Sequence, residues 1–169
     1  MPAEISHQEL ILLANELGKQ LLKSGGVIAT AESCTGGWIA QVITEVPGCS
    51  AWFDCSFVTY SNAAKIEMLG VKPETLARYG AVSRETALEM VAGALARSHA
   101  TLAVAVTGVA GPDGGTTETP VGTVYIAWQK KGEKVRVERN GWAGNRHQVR
   151  AQSVRRAILG VTLGEGSDS

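Results

Sequence analysis

Two short runs decide which architectures are open to this chain. Val27-Ile28-Ala29-Thr30-Ala31 and residues 101–107 (TLAVAVT) are apolar or small at almost every position, and each leads into a glycine-rich stretch. A strand with one wet face alternates apolar and polar side chains. These runs do not alternate, so they read as strands covered on both faces. Such a sheet needs helices above and below it.

The segments that can supply those helices are legible. Ser6 and Glu9 form an S-x-x-E capping box, and Leu10, Leu13, Ala14, Leu17 and Leu21 then recur at helical spacing until Gly25-Gly26. A second helix carries Trp38, Ile39, Val42, Ile43 and Val46 on one face and ends at Pro47-Gly48. A strand is expected over residues 53–60, then a short helix over about 62–69 closed by Gly70. Ser83 reads as the N-cap of a longer helix with Leu88, Val91, Ala92 and Leu95 turned inward. Residues 121–128 and 134–139, joined around Lys130-Lys131-Gly132, read as a β-hairpin. Asn145 can cap a last helix to about Leu159, and residues 161–169 read as a flexible tail. The fold class expected is α/β: one three-layer α/β/α sandwich with a mixed sheet, its core over about residues 6–160.

A length of 169 residues suits one domain. The 16 basic and 16 acidic residues cancel, which removes the simplest argument for nucleic-acid binding, the displacement of counterions by excess positive charge. The N-terminus lacks the pattern of a signal peptide, and no apolar run approaches the ~20 residues of a membrane-spanning helix. Cys34, Cys49 and Cys55 are odd in number and lack metal-ligand spacing, which suits reduced thiols. The expectation is a cytoplasmic protein with neither a nucleic-acid nor a membrane partner.

Ligands of such sheets bind beyond the carboxyl ends of the strands. The first loop there is Thr30-Ala31-Glu32-Ser33-Cys34-Thr35-Gly36-Gly37. Small hydroxyls and glycines before a helix can present backbone N–H groups to a phosphate or to the oxyanion of a tetrahedral intermediate. The plainer alternative is a capped turn, with Ser33 or Thr35 as N-cap. Cys34 admits a thiol enzyme, although a small buried residue after a serine explains it better. The second loop, Thr107-Gly108-Val109-Ala110-Gly111-Pro112-Asp113-Gly114-Gly115, suits close approach of backbone to a ligand. Between them, Tyr60 closes a strand and Lys65 follows in the next helix. A serine needs a base, and none of His7, His99 and His147 stands out. Lys65 could serve if burial lowers its pKa, or it could be a solvated helix residue. Arg146 and Arg150 share a helix face and suit a phosphate monoester, or form a solvated basic face.

Taken together and in order, TAESCTGGWIA, SAWFDCSFVTYSNAAK, GAVS, TGVAGPDGG and PVGTVYIAW closely resemble the CinA C-terminal family, over roughly residues 10–160. The resemblance implies hydrolysis of the carboxamide of nicotinamide mononucleotide to nicotinic acid mononucleotide and ammonia, with no metal and no organic cofactor. It implies Ser33 as nucleophile, Lys65 as base and Tyr60 supporting the pair by hydrogen bonding. Thr35, Gly36 and Gly37 would hold the oxyanion or the substrate, Thr107 and Gly108 would line the nucleotide pocket, and Arg146 and Arg150 would take the 5′-phosphate. A homodimer is the expected assembly. Some members carry this domain behind one resembling molybdopterin-binding proteins, linked to ADP-ribose pyrophosphatase activity; these 169 residues have no such segment, and that activity is not expected. Two other readings stay open: a non-catalytic nucleotide-binding module, and an interaction protein tied to competence or DNA damage.

Overall fold

The computed structural model describes residues 2–163. In chain order its elements are α1 His7–Ser24, β1 Ile28–Glu32, α2 Trp38–Thr44, a 3-10 turn Cys49–Ala51, β2 Phe53–Val58, α3 Asn62–Leu69, α4 Pro73–Tyr79, α5 Arg84–Ala96, β3 Leu102–Gly108, β4 Thr123–Lys130, β5 Arg136–Gly141 and α6 Arg146–Leu163. The sheet runs in the order β2-β1-β3-β4-β5. β1 pairs in parallel with β2 and β3, while β4 and β5 add an antiparallel hairpin on the β3 side. This is the mixed, doubly covered sheet that the two apolar runs predict.

The two faces of the sheet are packed differently because side chains alternate along each strand. On one face Ile28, Leu102, Val104, Val106, Val124, Ile126 and Trp128 meet the apolar stripes of α1, α2 and α6. On the other, Ala31, Ala103, Ala105 and Ala127 meet Ala87, Met90, Val91 and Ala94 of α5. The small strand residues let α5 come close, and that decides which side of α5 is buried. The expected inward set of Leu88, Val91, Ala92 and Leu95 is corrected here: Ala92 is exposed and Leu88 and Leu95 are half-buried, whereas Thr86, Ala87 and Gly93 are buried. Size outweighs hydrophobicity at this contact. A Cβ on Gly93 would lie 2.0 Å from the Leu69 carbonyl oxygen, so α5 passes the end of α3 backbone against backbone.

Other boundaries differ in instructive ways. Ser6 caps α1 through the Glu9 N–H at 3.1 Å, but the Glu9 carboxylate turns to Arg155 at 2.9 Å and leaves the box half-formed. Helix α4, begun by Pro73 at its first position, had no counterpart in the sequence reading. Helix α6 runs on to Leu163, past the expected end at Leu159, and residues 164–169 of the expected tail lie outside the described residues.

For the site, the parallel strands matter most. Glu32 is level with Val58 of β2 and with Val106 of β3, so β1 and β2 end together while β3 runs on two residues to Gly108. One residue further, the Ser33 N–H donates to Val106 O at 3.0 Å and the Thr59 N–H donates to Glu32 O at 2.9 Å. Ser33 and Thr59 are thereby fixed by the sheet's own hydrogen-bond ladder.

Candidate active site

A cleft of about 280 Å³ opens at these strand ends, lined by Ser33, Cys34, Tyr60, Lys65, Ala81, Val82, Thr107, Gly108, Ala110 and Arg146. Lys65 is the unusual member. It sits in the second turn of α3, which Ser61 caps through the Ala64 N–H, and its side chain is 1% exposed. Its Nζ lies 2.9 Å from Ser33 Oγ, 2.8 Å from Thr59 O and 3.2 Å from Tyr60 O. No carboxylate among the described residues pairs with it.

That coordination has chemical content. Burial pushes the Lys65 ammonium below its ordinary 10.5, because the charged form loses hydration. A Cys34 thiolate would act the other way, but burial pushes the Cys34 thiol up to about 12, so it is uncharged at neutral pH. A neutral amine has two N–H bonds and one lone pair. The Thr59 and Tyr60 carbonyls can accept the two N–H bonds, leaving the lone pair for the Ser33 hydroxyl. A base so placed can take the proton from a serine as it attacks. The same burial makes Cys34 an inert thiol, which weighs against the thiol reading.

The turn that carries Ser33 is held from both sides. Glu32 is fully buried. Its Oε1 accepts from Thr35 Oγ1 at 2.8 Å and from the Ile39 N–H at 2.9 Å; its Oε2 accepts from the Ala40 N–H at 3.1 Å and from the Thr30–Ser56 hydroxyl pair, whose oxygens lie 3.1 and 3.2 Å away and are hydrogen-bonded to each other at 2.6 Å. Neither Ser33 nor Thr35 is the N-cap of α2. That position is Gly37, at φ 96° and without a side-chain cap, and Gly36 before it is at φ 59°. Both glycines occupy the left-handed region that the tight turn requires. The positive end of α2 is therefore already neutralised by the protein's own carboxylate, which leaves the Ile39 and Ala40 amides no room for a phosphate. The Gly36 N–H is also used, by Ser33 O at 3.0 Å. Among the described residues, the Thr35 and Gly37 N–H groups make no hydrogen bond.

The remaining expected residues divide. Tyr60 supports Lys65 through its backbone carbonyl; its phenol is exposed and accepts from Arg146 at 3.3 Å. Thr107 is buried with its hydroxyl on Ala81 O at 2.8 Å. Gly108 is needed for packing, since a Cβ there would fall 2.6 Å from Val124 Cγ2. Arg146 lies on the cleft wall and spans it, from Gly111 O at 2.8 Å to Tyr60. Arg150 is not brought into the cleft. Its Nε donates to Cys34 O at 3.0 Å and its Nη2 to Thr35 O at 3.2 Å, with the guanidinium over the Trp38 ring. Shared helix face does not mean shared ligand, because one turn along α6 changes the neighbours. Among the described residues, no three or more His, Cys, Asp or Glu side chains gather where they could hold a metal ion. Glu32 and the Thr59 carbonyl are what the sequence reading missed. Both lay within the quoted motifs, but nothing in a sequence says which way a buried carboxylate points.

Residues 11–162 match the model of the CinA C-terminal domain. The chain belongs to the CinA C-terminal domain family. Within it, the chain is 48% identical over 155 residues to the nicotinamide-nucleotide amidohydrolase PncC of Escherichia coli K12, covering 91% of this chain and 93% of that one. It is 52% identical over 149 residues to the PncC of Pseudomonas putida, covering 88% and 92%. Among solved structures, the competence/damage inducible protein CihA of Agrobacterium tumefaciens superposes with a TM-score of 0.90 at 44% identity, covering 96% of this chain and 98% of that one. The fold is thus shared with that solved structure, and no helix among the described residues is long and apolar enough to cross a membrane.

Proposed function

We propose that this CinA-family chain is a nicotinamide-nucleotide amidohydrolase, converting nicotinamide mononucleotide and water to nicotinic acid mononucleotide and ammonia. The observation that carries the reading is the buried Lys65 amine 2.9 Å from Ser33 Oγ, supported by the names of relatives that match nearly end to end. A binding module has no use for a lysine buried without a counter-ion.

In the proposed reaction the Ser33 oxygen attacks the carboxamide carbon while Lys65 takes its proton. The tetrahedral oxyanion is held by backbone N–H groups of the 33–37 turn, with Thr35 N–H the leading candidate. Collapse breaks the C–N bond, Lys65 returns the proton to the nitrogen, and ammonia leaves an acyl ester on Ser33. Water, deprotonated by Lys65, then attacks the ester carbon; the bond to the Ser33 oxygen breaks, Lys65 returns the proton to that oxygen, and the carboxylate is released. Tyr60 aligns Lys65 through its carbonyl, Thr107 and Gly108 form the cleft wall, and Arg146 meets the 5′-phosphate by exchanging its Tyr60 contact for a charge-assisted one.

We further place the protein in the cytoplasm as a homodimer, with no nucleic-acid partner. Its 16 basic and 16 acidic residues cancel, so the chain as a whole has no excess positive charge to displace counterions from a phosphate backbone. The test of the activity is product identity. Purified protein given nicotinamide mononucleotide should yield nicotinic acid mononucleotide and an equal amount of ammonia, by mass and by enzymatic ammonia assay. Unchanged substrate would refute the reading.

A further inference from the structure

The Arg150 guanidinium is half-buried, lies outside the cleft lining, and makes two hydrogen bonds to backbone carbonyls of the turn directly after Ser33. Carbonyls of a tight turn seldom need a cation. The consequence lies in the peptide planes. In a trans peptide the C=O and the following N–H point in opposite directions. Fixing Cys34 O on Arg150 Nε therefore aims the Thr35 N–H away from α6. Thr35 O accepts from the Trp38 N–H at 3.0 Å as well as from Nη2, and together they set the next plane, whose Gly36 N–H closes on Ser33 O at 3.0 Å. From the other side Glu32 holds the Thr35 hydroxyl at 2.8 Å. Residue 35 is thus gripped by opposite charges at its carbonyl and its side chain, while its N–H is left without a protein acceptor.

We propose that Arg150 is a positioning residue for the hydrolysis, one that holds the Ser33 turn and its oxyanion-directed Thr35 N–H without touching the substrate. This rests on the amidohydrolase reading above. A bidentate fork is suited to the task because it fixes two planes at once, which a lysine cannot do. The Trp38 ring on the other side of the guanidinium, 5.3 Å from Cζ, keeps it from swinging towards solvent.

The test compares wild type, Arg150→Met, Arg150→Lys and Arg146→Met on nicotinamide mononucleotide and on nicotinamide riboside, which lacks the phosphate. Arg150→Met should lower kcat at least tenfold on the nucleotide with KM within threefold, and lower kcat/KM by a similar factor on the riboside. Arg150→Lys, restoring one carbonyl contact, should recover part of kcat. Thermal unfolding and circular dichroism identify any variant that fails to fold, and Arg150→Lys then carries the same kcat-against-KM comparison. A KM rise confined to the nucleotide would make Arg150 a phosphate contact and overturn the proposal. So would a kcat within twofold of wild type. Wild-type protein inert towards both amides would instead overturn the amidohydrolase reading, and this proposal with it.

Discussion

Lys65 and Ser33, 32 residues apart in sequence, meet at 2.9 Å from two different parallel-strand exits, Ser33 directly after β1 and Lys65 from the helix after β2. Two backbone carbonyls, Thr59 O and Tyr60 O, share the same amine. The pair is thus a product of the sheet register, and its chemistry follows from burial.

The pH dependence has a definite sign. Burial holds Lys65 below 10.5, and only the unprotonated amine can accept the serine proton. The value of kcat/KM should therefore rise with pH through the Lys65 titration and level off above it, with the midpoint below 10.5. The folding linkage has the same direction. Between the lowered pKa and 10.5 the unfolded chain binds more protons than the folded one, so stability rises with pH across that window. A pH–rate profile that falls with rising pH through the Lys65 titration would contradict the assignment of Lys65 as base.

Cys34 should be dispensable for chemistry. Its thiol is buried and pushed up to about 12, so little thiolate exists at neutral pH. Iodoacetamide at pH 7.5 should leave activity intact over an hour, and Cys34→Ala should keep kcat within about threefold while losing roughly 1 kcal/mol of stability to the lost buried volume.

Arg146 should act on binding. A charge-assisted contact to phosphate contributes about 1.5–3 kcal/mol, so Arg146→Met should raise KM for the mononucleotide by roughly 10–100-fold. The riboside should lose far less, which steady-state kinetics on both substrates would register.

Glu32 should prove structural and irreplaceable by its amide. Glutamine presents an NH2 donor to a site ringed by the Thr35 hydroxyl, the Ile39 and Ala40 N–H groups and the Thr30–Ser56 hydroxyl pair, all turned to donate. At least one hydrogen bond to a charged acceptor is lost, so Glu32→Gln should cost about 2–3 kcal/mol. For a domain of this size that is a fall in Tm of roughly 5–10 °C, measurable by calorimetry.

Much of the fold was legible because periodicity and end signals are local. The buried strands show as unbroken apolar runs, Ser83 and Gly70 mark helix ends, and the motifs bracket the cleft. What was not legible depends on where neighbours lie. The buried face of α5 is chosen by the alanines of β3, which a helical wheel does not contain. Arg146 and Arg150 look equivalent at a four-residue spacing, yet one meets Tyr60 and Gly111 and the other the carbonyls of Cys34 and Thr35. Glu32 reads as one more residue of a strand end until the donors around its carboxylate are seen. Sequence spacing places side chains on an element, and only packing says what they face.

The most direct test of the Ser33–Lys65 pair is ammonia release from nicotinamide mononucleotide by wild type, Ser33→Ala and Lys65→Ala, each shown to be folded. The pair predicts turnover by the wild type and a loss of at least about a thousandfold in kcat for both substitutions, as removal of a nucleophile or its base produces. Ser33→Ala retaining a tenth or more of wild-type kcat would contradict it, since some other group would then be attacking the amide.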